Sequence, residues 1–185
     1  MNLMIDIETL GAKPGCAILS IAAVPFKSPC DVECFYERIS PESNTAVGLI
    51  SEQATLDWWD KQSVEARAEA FSGDTPIEVV LFNLSTYISQ FKDVQVWGNG
   101  ASFDVPIIEY AMRKCMIDIP WRYSNEMCYR TLKNLFTNIP AEKPLVAHNA
   151  LYDAKAQAAH ATKILTYIYM VRDTITVEER KDGYS

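Results

Sequence analysis

The chain has 185 residues, with 24 Asp+Glu against 17 Lys+Arg, a formal net charge of −7 and a pI near 4.9. This length fits one domain over 1–185 with a core of its own, and 49% hydrophobic with 22% charged residues excludes wholesale disorder. The acidic balance excludes a protein that grips nucleic acid through a broad basic surface, but not an enzyme that touches it through a few placed groups.

No apolar run approaches the roughly 20 residues of a membrane span. The start, Met1-Asn2-Leu3-Met4-Ile5-Asp6, sets a carboxylate where a signal peptide carries its apolar core. The five cysteines include a C-x3-C pair, Cys30 and Cys34, with no histidine near it, which argues against a zinc site or a disulfide framework. A soluble, cytoplasmic protein with reduced thiols is expected. Acid is concentrated early: residues 1–92 hold 13 acids and 6 bases, residues 93–185 hold 11 of each. Between Arg113 and Lys163 eight bases meet four acids, a mild positive balance that scattered solvated side chains also explain.

In chain order, residues 3–7 read as a buried strand, 11–15 as a turn, 17–24 as a second apolar strand and 35–39 as a third with alternating polarity. Short turns between them predict an antiparallel meander. Residues 51–71 hold two short helical patterns around Trp58 and Trp59. Thr75-Pro76-Ile77-Glu78 predicts a helix start, with Thr75 as N-cap, and Ile77, Leu81, Leu84, Ile88 and Phe91 form its apolar stripe. A strand over 93–97 and helices over 104–115 and 125–136 follow. Residues 145–147 read as briefly extended. Asn149 is placed to cap a last helix over 150–170, with Ala154, Ala158, Ala161, Leu165 and Ile168 buried, and the polar tail after Asp173 is expected to fray. Early strands followed by alternating helices and strands predict a mixed α/β sheet packed against helices.

Three pieces carry chemistry. Asp6 and Glu8, two apart on a strand, share one face while Leu3, Ile5 and Ile7 take the other; a buried carboxylate pair is costly unless a cation sits between the two, and a strand end emerging into solvent is the plainer explanation. In Trp97-Gly98-Asn99-Gly100-Ala101-Ser102-Phe103-Asp104, two of the chain's 7 glycines flank Asn99, which suggests positive φ or a close approach. For Asp104 taken alone, an ordinary helix N-cap is the plainer explanation. In His148-Asn149-Ala150-Leu151-Tyr152-Asp153, a histidine before the helix and a carboxylate in its second turn reach one site. Either could instead be a loop residue and a polar-face residue. Gln157 and His160 follow on that polar face, and His160 is the weaker catalytic candidate because no carboxylate motif surrounds it.

Together, Met4-Ile5-Asp6-Ile7-Glu8-Thr9-Leu10-Gly11, Asn99-Gly100-Ala101-Ser102-Phe103-Asp104 and the His148 to Asp153 motif stand in the order of the DEDDh enzymes. The chain thus resembles the DnaQ-like 3′–5′ exonucleases of the ribonuclease H-like superfamily over about residues 3–160. Its wording is most similar to phage and prophage members, some exodeoxyribonuclease VIII-like and others exoribonucleases. One departure stands out: Tyr129 precedes Arg130-Thr131-Leu132 where many relatives carry an acid, a change that bears on substrate contacts or helix packing.

The resemblance implies a ribonuclease H-like mixed sheet, its first three strands antiparallel and the rest parallel, flanked by helices. It implies two divalent cations, Mg²⁺ or Mn²⁺, because hard oxygen ligands favour these over zinc. Asp6, Glu8 and Asp153 hold the one that activates water; Asp6, with Asp104 through water, holds the second. His148 is the implied general base, and the products are nucleoside 5′-monophosphates released from the 3′ end of a single strand, with DNA slightly ahead of RNA. Backbone groups at Thr9 and Leu10 meet the terminal sugar, the Leu10 side chain wedges against the last base, and Phe103 supplies a stacking wall. Trp58 and Trp59 are left open between strand contact, core and partner surface. A homodimer is compatible with the family. A non-catalytic nucleic-acid-binding module on the same fold would have lost one or more carboxylates, and none is lost here. An interaction protein using the acidic first half and the tryptophan pair would bind no divalent cation.

Overall fold

The computed structural model describes residues 1–27 and 32–182, the side chains of 173–182 excepted. Cys30 lies outside the described residues; the other four cysteines are free. No helix among the described residues is long and apolar enough to cross a membrane.

Five strands form one sheet: β1 (Asn2–Thr9), β2 (Ile18–Phe26), β3 (Phe35–Arg38), β4 (Gln95–Gly98) and β5 (Glu126–Cys128), in the order β3-β2-β1-β4-β5. The first three pair antiparallel, as the meander predicts, and β4 and β5 continue parallel to β1. The register Met4 to Trp97 brings the carboxyl ends of β1 and β4 side by side, the usual location for a site in an open α/β sheet.

Helices α1 (Pro41–Ala46), α2 (Gln53–Trp59), α3 (Val64–Ala70), α4 (Ile77–Ser89), α5 (Asp104–Lys114), α6 (Tyr129–Leu135) and α7 (Ala150–Asp182) surround the sheet. Strand alternation sorts the core into two. Leu3, Ile5 and Ile7 pack with Ile77, Leu81, Leu84 and Ile88 of α4 and Ile107 and Ile108 of α5. Met4, Ala22 and Val24 face Ala154, Ala158 and Ala161 of α7. Each large side chain so buried is worth roughly 1.5–3 kcal/mol. The alanine stripe has a second effect, since small side chains let α7 lie close to the sheet and bring its first turns against β1.

Several local readings are corrected. Helix α4 begins one residue later than predicted: Pro76 is the cap position and Thr75 makes no cap hydrogen bond. The Ile77 N–H donates instead to Ser43 Oγ at 3.0 Å, an oxygen supplied by α1, which the sequence reading lacked although Ser40-Pro41 is a helix start. Residues 126–128 are strand rather than helix, because β4 offers them a parallel edge. Residues 145–147 form a bend and turn, with Leu145 exposed. The backbone of α7 continues past 170 to Asp182; no Gly or Pro interrupts the sequence before Gly183, and a nucleated helix propagates readily through Glu, Arg and Lys.

Candidate active site

Asp6 and Glu8 continue the Met4 face of β1 toward α7, where Asp153 and Gln157, four residues apart, share one side of the helix. One carboxylate oxygen from each of Asp6, Glu8 and Asp153 lies within 4.8 Å of the others. Gln157 Nε2 donates to Asp6 Oδ1 at 2.7 Å, and its buried Oε1 has no hydrogen-bond partner. Asp104, outside the three-carboxylate set, opens α5 and accepts the Asn99 N–H at 2.6 Å. Gly98 makes room for it, since a Cβ there would stand 3.0 Å from Asp104 Oδ2, and Gly100 has φ +143° against the Arg130 guanidinium. The glycine pair thus serves close approach and positive φ, with the chain's own Asp104 and Arg130 as the neighbours. Arg130 also donates to the Asn99 carbonyl at 2.6 Å.

These carboxylates resist ionising together. Burial, then the charges of Asp104, Glu8 and Asp153, hold Asp6 well above the carboxylate range, with the Gln157 amide opposing. Burial, then Asp153 and Asp104, push Glu8 up to about 8. Burial raises Asp104 to about 6 against N–H donors and Arg130, and burial also raises Asp153. Closely spaced acids that repel one another, all offering hard oxygens, fit hard divalent cations.

Asp6, Glu8, Thr9, Asn99, Phe103 and Asp153 line one cavity of about 570 Å³, together with Glu52, Thr55, Trp58, Trp59, His148 and Gln157. His148 occupies the turn before α7 with φ +58°. Asn149 caps α7, its Oδ1 accepting the N–H groups of Leu151 and Tyr152 at 3.1 and 3.3 Å. Leu10 does not join the cavity. Its side chain is buried with Ala17, Leu19, Trp59 and Ala70, its N–H donates to the Ala17 carbonyl and its carbonyl accepts the Glu52 N–H. A third apolar cluster, behind the strand end, thus holds the Leu10 side chain, and both backbone polar groups of Leu10 are paired within the fold.

A family model described as the 3′–5′ exoribonuclease Rv2179c-like domain matches residues 1–165. The chain belongs to this family. It is a DnaQ-like 3′–5′ exonuclease, hence a hydrolase of nucleic acid. The exonuclease is 25% identical to the exodeoxyribonuclease of Enterobacteria phage T4, covering 96% of this chain and 95% of that protein. Among solved structures, cell-death related nuclease 4 (CRN-4) superposes with a TM-score of 0.60 at 12% identity over 90% of this chain, which spans 64% of that one. The nuclease domain of 3′hExo, a DEDDh family member bound to rAMP, gives 0.60 at 12% identity, covering 89% of this chain and 91% of its own. Both likenesses bear out the ribonuclease H-like sheet.

Elsewhere in the exonuclease, both ring nitrogens of His160 have partners within the fold. The Tyr129 hydroxyl is 2.8 Å from its Nδ1 and the Ile139 carbonyl 2.8 Å from its Nε2. Tyr129, the departure from the family wording, is thus a packing residue between α6 and α7. Sequence reasoning placed Gln157 on the right helix face without its link to Asp6; its i+4 position after Asp153 was the available signal. It missed Glu52 and Thr55, which no motif marks.

Proposed function

We propose that this exonuclease removes nucleotides one at a time from the 3′ end of single-stranded nucleic acid with two divalent cations, Mg²⁺ or Mn²⁺, and acts on DNA ahead of RNA. The observation that carries the metal-dependent reading is the meeting of Asp6, Glu8 and Asp153 within 4.8 Å. Asp6, Glu8 and Asp153 would hold one cation, and Asp6 with Asp104 the second. Bound divalent cations supply Lewis-acid polarisation of the phosphodiester and a water of lowered pKa. His148 takes the proton of the attacking water on a ring nitrogen. The P–O3′ bond breaks, leaving a 3′ hydroxyl on the shortened strand and a nucleoside 5′-monophosphate. Backbone groups at Thr9 receive the terminal sugar, and Phe103 forms an aromatic wall for the base.

The order of DNA before RNA draws support from the phage T4 exodeoxyribonuclease, matched along nearly its whole length. The second reading, an exoribonuclease, draws support from the family's description. Matched 5′-labelled DNA and RNA oligonucleotides, incubated with Mg²⁺ or Mn²⁺ and with chelator, test both. A 3′ ladder that needs metal and grows faster on DNA is expected. A faster RNA ladder would reverse the order, and no shortening of either strand would sink the proposal.

A further inference from the structure

A histidine that accepts a proton in catalysis is ordinarily oriented by a third group hydrogen-bonded to its other nitrogen. Among the described residues no hydrogen bond reaches the ring of His148. Its aromatic neighbours are indoles: the Trp58 ring centroid lies 4.8 Å away at an interplanar angle of 88°, and that of Trp59 lies 6.4 Å away at 76°. Both are edge-to-face contacts, the arrangement favoured by the ring quadrupole.

The indoles are themselves fixed. Trp59 is 1% exposed, and its Nε1–H donates to the Thr9 carbonyl at 3.0 Å. The Glu52 N–H, just before α2, donates to the Leu10 carbonyl. Two hydrogen bonds therefore tie α2 to the end of β1, the strand that carries Asp6 and Glu8. Trp58 stacks edge-on against Trp59 at 5.1 Å and, 40% exposed, lines the same cavity as His148.

We infer that Trp58 is a positioning residue, holding the His148 imidazole toward the carboxylate cavity by edge-to-face contact in place of a hydrogen-bonding orienter. The inference rests on the reading of His148 as the proton acceptor. It makes the tryptophan pair a bridge that sets His148 relative to β1, although the two are remote in sequence. His148 also has a positive-φ backbone, in the turn just before α7.

The test uses the full chain carrying Trp58→Ala or Trp58→Phe. Steady-state hydrolysis of a 5′-labelled oligonucleotide with Mn²⁺ should show kcat lowered about 3- to 10-fold in Trp58→Ala, the scale of one aromatic pair. KM should stay within about twofold, and Trp58→Phe should recover most of the rate. The chain has 2 histidines, so a metal-free ¹H–¹³C spectrum of their ring protons resolves the contact without activity. The His148 signals, assigned with His148→Ala, should move toward free-histidine positions in Trp58→Ala while the His160 signals stay.

A raised KM with unchanged kcat would overturn the inference and make Trp58 a base-stacking residue. His148 signals that do not move in Trp58→Ala would overturn it as well. Full activity in His148→Ala would remove the proton-acceptor reading and this inference with it; loss of activity there with unmoved His148 signals in Trp58→Ala would remove this inference alone.

Discussion

His160 lies in the α6–α7 contact, 4% exposed, with Tyr129 and the Ile139 carbonyl on its two ring nitrogens. His148 stands half-buried on the cavity wall, held by ring edges and with both nitrogens free of hydrogen bonds among the described residues. The same side chain is thus structural where its two polar valences are spent and available for chemistry where they are not. The carboxylates repeat the lesson: Glu69 is spent on Tyr36 and Arg38, whereas Asp6, Glu8 and Asp153 face one another across a space a cation can fill.

The largest effect should separate the two histidines. His148→Ala is expected to lower kcat by about 10²- to 10⁴-fold, the range of a lost general base, with the melting temperature nearly unchanged. His160→Ala should do the reverse, costing about 2–3 kcal/mol of stability through an unpaired buried Tyr129 hydroxyl and a lost ring, while the folded fraction keeps its kcat. Denaturant melts beside single-turnover rates check both, and a stable, inactive His160→Ala would break the contrast.

A smaller effect concerns the acids. Gln157→Leu removes the amide that donates to Asp6 and should weaken divalent-cation binding by about 10- to 100-fold, as loss of an outer partner of a ligand usually does. Calorimetric titration with Mn²⁺ reads it. An unchanged affinity would show that Asp6 needs no such support.

A last effect concerns stability against pH. With Glu8 at about 8 and Asp6 also raised in the folded chain, the native state binds more protons than the unfolded state between about pH 4 and 8. Stability of the metal-free protein therefore falls as pH rises through that window. Cations displace those protons, so the gain in melting temperature on saturating Mn²⁺ should be larger at pH 8 than at pH 6. Equal gains at both values would mean that the acids do not carry the protons their burial implies.

Much of this arrangement was legible in the sequence because it rests on periodicity. Alternation on β1 sends Asp6 and Glu8 one way and Ile5 and Ile7 the other, and Asn149 announces the start of α7. What escaped was what tertiary partners decide. Residues 126–128 became strand because β4 offered an edge, and Ser43 rather than Thr75 served the first turn of α4. Leu10 packs in a small cluster that only the folded α2 and α3 complete. The tryptophan pair stayed undecided for the same reason: its neighbour His148 is remote in sequence, and no pattern within α2 points to it.

The measurement that bears hardest on this reading is the fate of a labelled 3′-terminal nucleotide under single turnover with Mn²⁺, in the wild type and in Asp6→Ala. The wild type should release the label as a nucleoside 5′-monophosphate, and Asp6→Ala should retain it on the strand. Undiminished release by Asp6→Ala, or release as a nucleoside 3′-phosphate, would contradict the assignment of the carboxylate cavity as the site of hydrolysis.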